Sequence, residues 1–118
     1  MRSLLEVAIE EAVVQWAASR GIVYLKLNLQ GNTGWPDRVF LFCGRVVFIE
    51  FKKPGGSVSP RQFLIFDQMA EAGYHVEVHD SVDDALRSIT RAVEAARLSA
   101  GSCGTPLLAG GRCPIPRS

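Results

Sequence analysis

Residues 37–52 of the chain read DRVFLFCGRVVFIEFK, two apolar segments that meet at Cys43-Gly44. Both segments are rich in Val, Ile and Phe, and such residues favour β-strands. We predict one strand over residues 37–42 and a second over residues 45–52. Because a Gly in a short connection favours a tight turn, the two strands are expected to form an antiparallel hairpin.

The register of this hairpin decides where its charged residues lie. A two-residue turn places Asp37 directly opposite Glu50, whereas a three-residue turn would place Asp37 on the other face of the sheet. Lys52 shares a face with Glu50, because side chains alternate along a strand. Two like charges that face each other are destabilising, and Glu50 also ends the most apolar strand of the chain. A positive group is therefore expected between the two carboxylates.

Periodicity and turn residues predict further elements on both sides of the hairpin. They are a helix over residues 3–19, a strand over 22–28, a loop over 30–34, a helix from 59 to 73, a strand over 74–79 and a helix over 82–98. The order is αβββαβα. Residues 1–98 are expected to form one domain, and residues 99–118, rich in Gly, Ser and Pro, a poorly ordered tail.

The second helix has a strong N-terminal signal. Ser59 is the predicted N-cap, Pro60 the first helical residue, and Gln62 the partner of Ser59 in a capping box. Apolar residues at helical spacing predict the core stripe of this helix, namely Phe63, Phe66, Met69 and Ala70.

Basic and acidic residues are unevenly distributed, although the net charge is only +1. Residues 20–61 contain seven Lys or Arg and two acids, Asp37 and Glu50, whereas residues 67–84 contain six acids and no Lys or Arg. A basic region around two isolated carboxylates suits a polyanionic substrate. Two carboxylates and the Lys52 ammonium at strand ends can also bind a hard cation and activate water.

The composition further limits where the protein is expected to act. No run of about 18 apolar residues is present and the N-terminal segment is interrupted by charges, so we expect neither a membrane span nor a secretory signal. A cytoplasmic location is the resulting expectation. The cysteines Cys43, Cys103 and Cys113 show neither an even framework nor a metal-binding spacing, so they are expected to be reduced.

An ordered string of motifs runs through the chain, and it resembles a stand-alone VRR-NUC domain, the virus-type replication-repair nuclease group of the PD-(D/E)xK nuclease superfamily. The motifs are Gly31-x-x-Gly34-x-Pro36-Asp37-Arg38, residues 44–52, Pro54-Gly55-Gly56 and Ser59-Pro60-x-Gln62. The resemblance covers roughly residues 6–89. It implies an α/β fold of the restriction-endonuclease-like type, with a central mixed sheet flanked by helices.

The resemblance also implies a metal site. Asp37 and Glu50 would bind Mg²⁺ or Mn²⁺ together with the main-chain carbonyl of Phe51. Lys52 would orient or help to deprotonate the attacking water and offset charge on the phosphate. Hard oxygen ligands of this kind favour Mg²⁺ or Mn²⁺ over zinc.

Two helices are expected to contribute further side chains to the site. In the family an acid on the first helix joins the site; Glu10 matches that position best, and Glu6, one turn earlier, is the alternative. Gln62 is similar to the family's second-helix glutamine, which contacts the active site. From its position alone, Gln62 could equally serve only as the capping-box partner of Ser59.

The resemblance implies a metal-dependent DNA endonuclease selective for branched, flapped or Holliday-junction-like DNA in replication, repair or recombination. Small stand-alone members resemble Holliday junction resolvases, which implies a homodimer. The expected DNA contacts are Arg38, Lys53, Arg61 and, by stacking on a base, Trp35. Two other functions stay open: a non-catalytic DNA-binding module with the same fold, and a site-specific restriction-type endonuclease.

Overall fold

A computed structural model of the protein describes residues 3–27 and 34–100. Its elements are α1 (Leu4–Ser19), β1 (Val23–Lys26), β2 (Arg38–Phe42), β3 (Arg45–Phe51), α2 (Pro60–Glu71), β4 (Val76–His79) and α3 (Val82–Ala100). The strands form one sheet in the order β1-β2-β3-β4, in which β2 is antiparallel to both neighbours and β4 runs parallel to β3. The predicted αβββαβα order and the mixed sheet flanked by helices are confirmed.

The turn between β2 and β3 has the predicted two residues. Cys43 and Gly44 have φ angles of 50° and 75°, the positive values that a type I′ hairpin turn requires at both positions. Glycine adopts such angles without steric cost, whereas a residue with a Cβ seldom does. The turn therefore fixes a tight hairpin without a bulge.

Strand pairing confirms the predicted register of this hairpin. Arg38 pairs with Ile49, so the next pair outward is Asp37 and Glu50. The main-chain oxygen of Asp37 accepts a hydrogen bond from the N–H of Leu27 at 2.9 Å, which holds the residue before β2 in line with the sheet. Strand β2 begins one residue later than predicted and β3 ends one residue earlier. The residues that face each other are those predicted.

The hydrophobic core lies between one face of the sheet and helices α1 and α3. Alternate residues of β2 and β3 point into this core, because side chains alternate along a strand. The buried core residues are Phe40, Phe42, Val47, Ile49 and Phe51 from the sheet, Ile9, Val13 and Ala17 from α1, Ile22, and Ala85, Ile89, Val93 and Ala96 from α3. On both helices these residues recur every three to four positions, which is the spacing of one helix face.

Helix α2 covers the opposite face of the sheet and buries little of its own surface. Of the predicted core stripe, Met69 is buried and Phe66 is half-buried, whereas Phe63 is 67% exposed and Ala70 is exposed. The prediction is therefore wrong at Phe63 and Ala70. Helical spacing identifies an apolar face, but it does not tell whether a second layer covers that face.

The structure tests only part of the predicted domain boundaries, because it describes residues 3–27 and 34–100. Helix α3 continues to Ala100, two residues beyond the predicted boundary. The rest of the predicted tail, residues 101–118, lies outside the described residues, as does the predicted loop from 30 to 33. Within the described ranges, no helix is long and apolar enough to cross a bilayer.

Cys43, in the hairpin turn, is disulfide-bonded. The expectation that this residue is reduced is therefore wrong, because three cysteines without a recognisable spacing give no sequence signal of a pairing. Cys103 and Cys113 lie outside the described residues.

Candidate active site

Three carboxylates lie in the interior of the protein. Glu10, Asp37 and Glu50 are 2%, 1% and 3% exposed, and they are the buried charged residues of the described ranges. All three belong to the set predicted for the site. A buried carboxylate is costly unless hydrogen bonds, a charged partner or a metal ion compensates it. The neighbours of each carboxylate therefore indicate what the site is built to hold.

Asp37 directly precedes β2, and its side chain is bonded to the last residue of β3. It follows Pro36, whose ring is also buried. The Oδ2 atom of Asp37 accepts a hydrogen bond from the main-chain N–H of Phe51 at 2.8 Å. Because Phe51 directly follows Glu50, this bond brings the Asp37 carboxylate to the end of β3 where the second carboxylate lies.

Glu50 has one well-bonded oxygen and one unbonded oxygen. Its Oε2 atom accepts a hydrogen bond from Nε2 of Gln62 at 2.8 Å and lies 3.1 Å from Nζ of Lys52. Its Oε1 atom is buried and has no hydrogen-bond partner. An unpartnered, buried carboxylate oxygen is rare in folded proteins and calls for a ligand or another explanation.

Gln62 performs both of the roles that the sequence left open. Its main-chain N–H donates to Oγ of Ser59 and its Oε1 accepts from the N–H of Ser59, the reciprocal pair of a capping box. The same Oε1 atom accepts a hydrogen bond from Nζ of Lys52 at 2.9 Å, and Nε2 donates to Glu50. One amide group thus connects the start of α2 to both charged residues at the end of β3.

The environment of Glu50 favours its protonated form. Burial raises the pKa of this carboxyl above its ordinary value, and the nearby charge of Asp37 raises it further. Hydrogen bonding and charge from Lys52, together with the hydrogen bond from Gln62, lower the pKa and offset only part of the increase. The site is therefore short of positive charge.

The two helix-1 acids occupy different environments. Glu6 is the capping-box partner of Ser3, since its Oε2 accepts from the N–H of Ser3 at 3.1 Å. Glu10 is buried, and its Oε2 lies 2.5 Å from Nε of Arg38. Of the two, Glu10 is therefore the acid that reaches the sheet, at the first residue of β2.

Arg38 has a structural position that the sequence analysis missed. Its side chain is 15% exposed, binds Glu10 and stacks over the ring of Tyr24 at 5.9 Å. The signal was present in the alternation of β2: Arg38 shares a face with Phe40, which is in the core, and so points towards α1 rather than to solvent. Its predicted contact with DNA stays a prediction.

The other predicted DNA contacts lie at the surface. Lys53 and Arg61 are exposed, and Trp35 is 40% exposed. Arg61 packs against the segment before Asp37, because a Cβ added at Gly34 would meet its Cγ atom at 3.1 Å. These residues surround the end of β3 on the face that α2 covers.

The donor set fits a hard divalent cation. Within the described ranges no group of three or more His, Cys, Asp or Glu side chains is arranged to hold a metal ion, so Glu10 as a third carboxylate ligand stays a prediction. Asp37, Glu50 and the main-chain carbonyl of Phe51 stay the predicted oxygen donors, and the first two are buried at the ends of paired strands. Mg²⁺ commonly binds one or two carboxylates and keeps several waters. A cation there would supply the partner that Oε1 of Glu50 lacks.

Comparison with known proteins bears on the family and the fold of the chain. No family model matches the sequence. Over 94 residues, however, the chain is 36% identical to a protein named "Putative nuclease p44" of Acyrthosiphon pisum secondary endosymbiont phage 1, and the match covers 79% of this chain and 99% of the phage protein. A solved VRR_NUC domain has the same fold, with a TM-score of 0.65 and 22% identity over 75% of this chain and 97% of that one.

The chain belongs to the same family as this phage protein, and its fold is that of the VRR-NUC domain. The resemblance found in its motifs is thereby confirmed, and so is the fold that it implied.

Proposed function

We propose that this VRR-NUC protein is a metal-dependent DNA endonuclease with selectivity for branched or flapped DNA. The observation that carries the proposal is the buried, unpartnered Oε1 of Glu50 beside Asp37 and Lys52. A bound cation would compensate the negative charge of this buried carboxylate pair. The phage relative is named as a nuclease, which supports the same activity.

The residues divide the chemistry between them. Asp37, Glu50 and the carbonyl of Phe51 would hold Mg²⁺ or Mn²⁺, and the bound ion would lower the pKa of water and polarise the phosphate. The hydrogen bond from the N–H of Phe51 keeps the Asp37 carboxylate in one orientation. The two acids therefore need little rearrangement when substrate arrives.

Lys52 is positioned to act on the attacking water and on the phosphate. Its ammonium is held by Oε1 of Gln62 at 2.9 Å and by Oε2 of Glu50 at 3.1 Å, and its side chain is 14% exposed. Two fixed acceptors restrict a side chain that is otherwise flexible. The remaining donor capacity of the ammonium can orient a water and offset negative charge on the phosphate.

The selectivity for branched DNA and the homodimer are proposed mainly from the motif resemblance. Exposed Lys53 and Arg61 lie near the site and suit phosphate binding. Selectivity for branched DNA and a homodimer both follow from the motif resemblance, since two copies would address two strands symmetrically. Sedimentation of the protein with and without a four-way junction tests the dimer; a monomer under both conditions would contradict it.

A cleavage panel tests the activity. Single-stranded, duplex, flapped and four-way-junction DNA are each incubated with Mg²⁺ or Mn²⁺, using wild type and Asp37→Asn. The amide oxygen of Asn can still accept from Phe51, so this variant removes charge while keeping the local hydrogen bond. We expect wild type to cut the branched forms and Asp37→Asn to bind them without cutting. A wild type that binds DNA but cuts none of it would favour a non-catalytic DNA-binding module.

A further inference from the structure

A cavity of about 320 Å³ lies between β3 and α2, and its walls are mostly aromatic and aliphatic. Strand β3 contributes Phe48, α2 contributes Ile65, Gln68 and Met69, and the segments beside them contribute Trp35 and Tyr74. The size is at the lower end of the range for small-molecule pockets.

Three of the lining residues are close in sequence to residues of the proposed site. Phe48 lies two positions before Glu50 on β3, so both side chains are on the same face of the sheet. Ile65 lies one helical turn after Gln62 on α2, on the same side of that helix. Trp35 precedes Asp37 by two residues, a separation of at most about 7 Å along the chain. The cavity and the carboxylate site therefore share strand β3 and helix α2.

The lining suits a flat, aromatic ligand. Phe48 and Tyr74 meet edge to face, with ring centroids 5.9 Å apart, and so form a preassembled wall. Trp35 and Tyr74 remain 40% and 49% exposed, which leaves ring surface free to stack. Gln68 adds an amide that can donate and accept hydrogen bonds.

The segment that carries Trp35 is held close to α2. Gly34 has a φ angle of +95°, and a Cβ added there would meet Cγ1 of Ile65 at 3.0 Å. The contact requires glycine both for its backbone angle and for its lack of a side chain. Trp35 is thus placed at the cavity by a close approach of two segments and not by a loose loop.

We propose that this cavity binds one unstacked nucleobase of the DNA, at a nucleotide next to the phosphate that is cut. The proposal rests on the function proposed above and adds a binding site for the base. A phosphate beside the base would lie near exposed Arg61, which approaches Gly34 next to Trp35, and this gives the ligand charge complementarity that an apolar peptide would lack. A splayed base gains stacking from the exposed rings, and every base has such a face.

A binding experiment without divalent ions tests the base site independently of cleavage. Fluorescence anisotropy measures the Kd for a single strand of about 12 nucleotides and for an abasic strand of the same length and charge. We expect wild type to bind the intact strand about 10-fold more tightly, with quenching of tryptophan emission. Phosphate contacts alone would give equal affinities.

Two variants locate the preference in the cavity. Trp35→Ala and Tyr74→Ala should each reduce the ratio of abasic to intact Kd towards one, whereas Phe63→Ala, an exposed aromatic on α2 outside the cavity, should leave it unchanged. Equal ratios in wild type, Trp35→Ala and Phe63→Ala would overturn the proposal. An unchanged ratio in Trp35→Ala together with a lowered melting temperature would also overturn it, since Trp35 would then support the fold without contacting a base.

The outcomes separate this inference from the proposed function. A protein that cuts DNA but shows no preference for the intact strand lacks the base site and keeps the nuclease activity. A protein that shows the preference but never cuts keeps the base site and lacks the activity.

Discussion

The two faces of the sheet differ in how they hold charged groups. The face covered by α1 and α3 is a core of aliphatic and aromatic side chains that also holds the Glu10–Arg38 pair. On the face covered by α2, charged and amide groups form a network around Glu50, and Met69 is a buried residue of the helix. Under the proposed function, the first face mainly stabilises the fold and the second carries the chemistry.

The difference shows how a small domain can hold poorly compensated carboxylates. Burial of Glu50 near Asp37 is unfavourable, as the raised pKa of Glu50 indicates. The apolar packing on the other face supplies the free energy of folding that offsets this cost. Substitutions on the core face should therefore change stability, and substitutions on the α2 face should mainly change activity.

The largest expected difference in stability is between substitutions of two phenylalanines, one in the core and one on α2. Phe40 is fully buried and Phe63 is 67% exposed. Phe40→Ala should lower the free energy of unfolding by about 3–5 kcal/mol because it leaves a cavity. Phe63→Ala should change it by less than about 0.5 kcal/mol, as is usual at the surface. Urea denaturation of both variants checks the comparison; similar losses would mean that α2 is packed as tightly as the core.

Removal of Arg38 tests whether this residue supports the fold or contacts DNA. Arg38→Ala leaves the buried Glu10 carboxylate without this partner, so we expect a loss of about 3–5 kcal/mol in the free energy of unfolding. The salt dependence of DNA binding should stay as in wild type, because a phosphate contact would have changed its slope by about one. An unchanged stability together with a weaker salt dependence would instead assign Arg38 to the DNA contact surface.

A pair of substitutions separates the capping role of Gln62 from its contact with Glu50. Gln62→Ala loses both, and we expect cleavage to fall by about 10–100-fold, as for partners that orient metal ligands. Ser59→Ala removes the hydroxyl that accepts from the N–H of Gln62 and keeps the Gln62 amide that contacts Glu50 and Lys52. It should therefore lower the melting temperature and keep the rate of cleavage. A rate in Ser59→Ala as low as that of Gln62→Ala would show that capping alone matters.

The smallest expected effect is a pH dependence of stability in the metal-free protein. Since the pKa of Glu50 is raised on folding, the folded state binds more protons than the unfolded state between the ordinary and the raised value. The contribution of Glu50 to the free energy of unfolding therefore falls as pH rises through this window. Glu50→Gln removes that contribution, so its stability relative to wild type in EDTA should increase as pH rises above the ordinary pKa of a glutamate. A difference that stays constant or decreases with pH would contradict the assignment.

The hairpin and its site residues were predictable because local rules determine them. The two-residue turn at Cys43-Gly44 fixes the register, and the register brings Asp37 to Glu50. The capping box likewise predicts where α2 begins, which places Gln62 near the site.

Other features depend on tertiary packing and could not be predicted in this way. The exposure of Phe63 depends on how far the sheet extends beneath α2, and the pairing of Glu10 with Arg38 depends on where α1 crosses the sheet. The cavity beside Trp35 needs the close approach of Gly34 to Ile65 in three dimensions. None of these distances is encoded in a spacing along the chain.

The comparison of Lys52 with its neighbour Lys53 tests the central claim most directly. The two lysines are adjacent and equally charged, but Lys52 is bound to Glu50 and Gln62 whereas Lys53 is exposed. Single-turnover cleavage of the preferred DNA form is measured for Lys52→Ala and Lys53→Ala at saturating protein. We expect Lys52→Ala to reduce the rate by about 10²–10³-fold and Lys53→Ala to leave it nearly unchanged. Cleavage by Lys52→Ala at the wild-type rate would contradict the proposed active site.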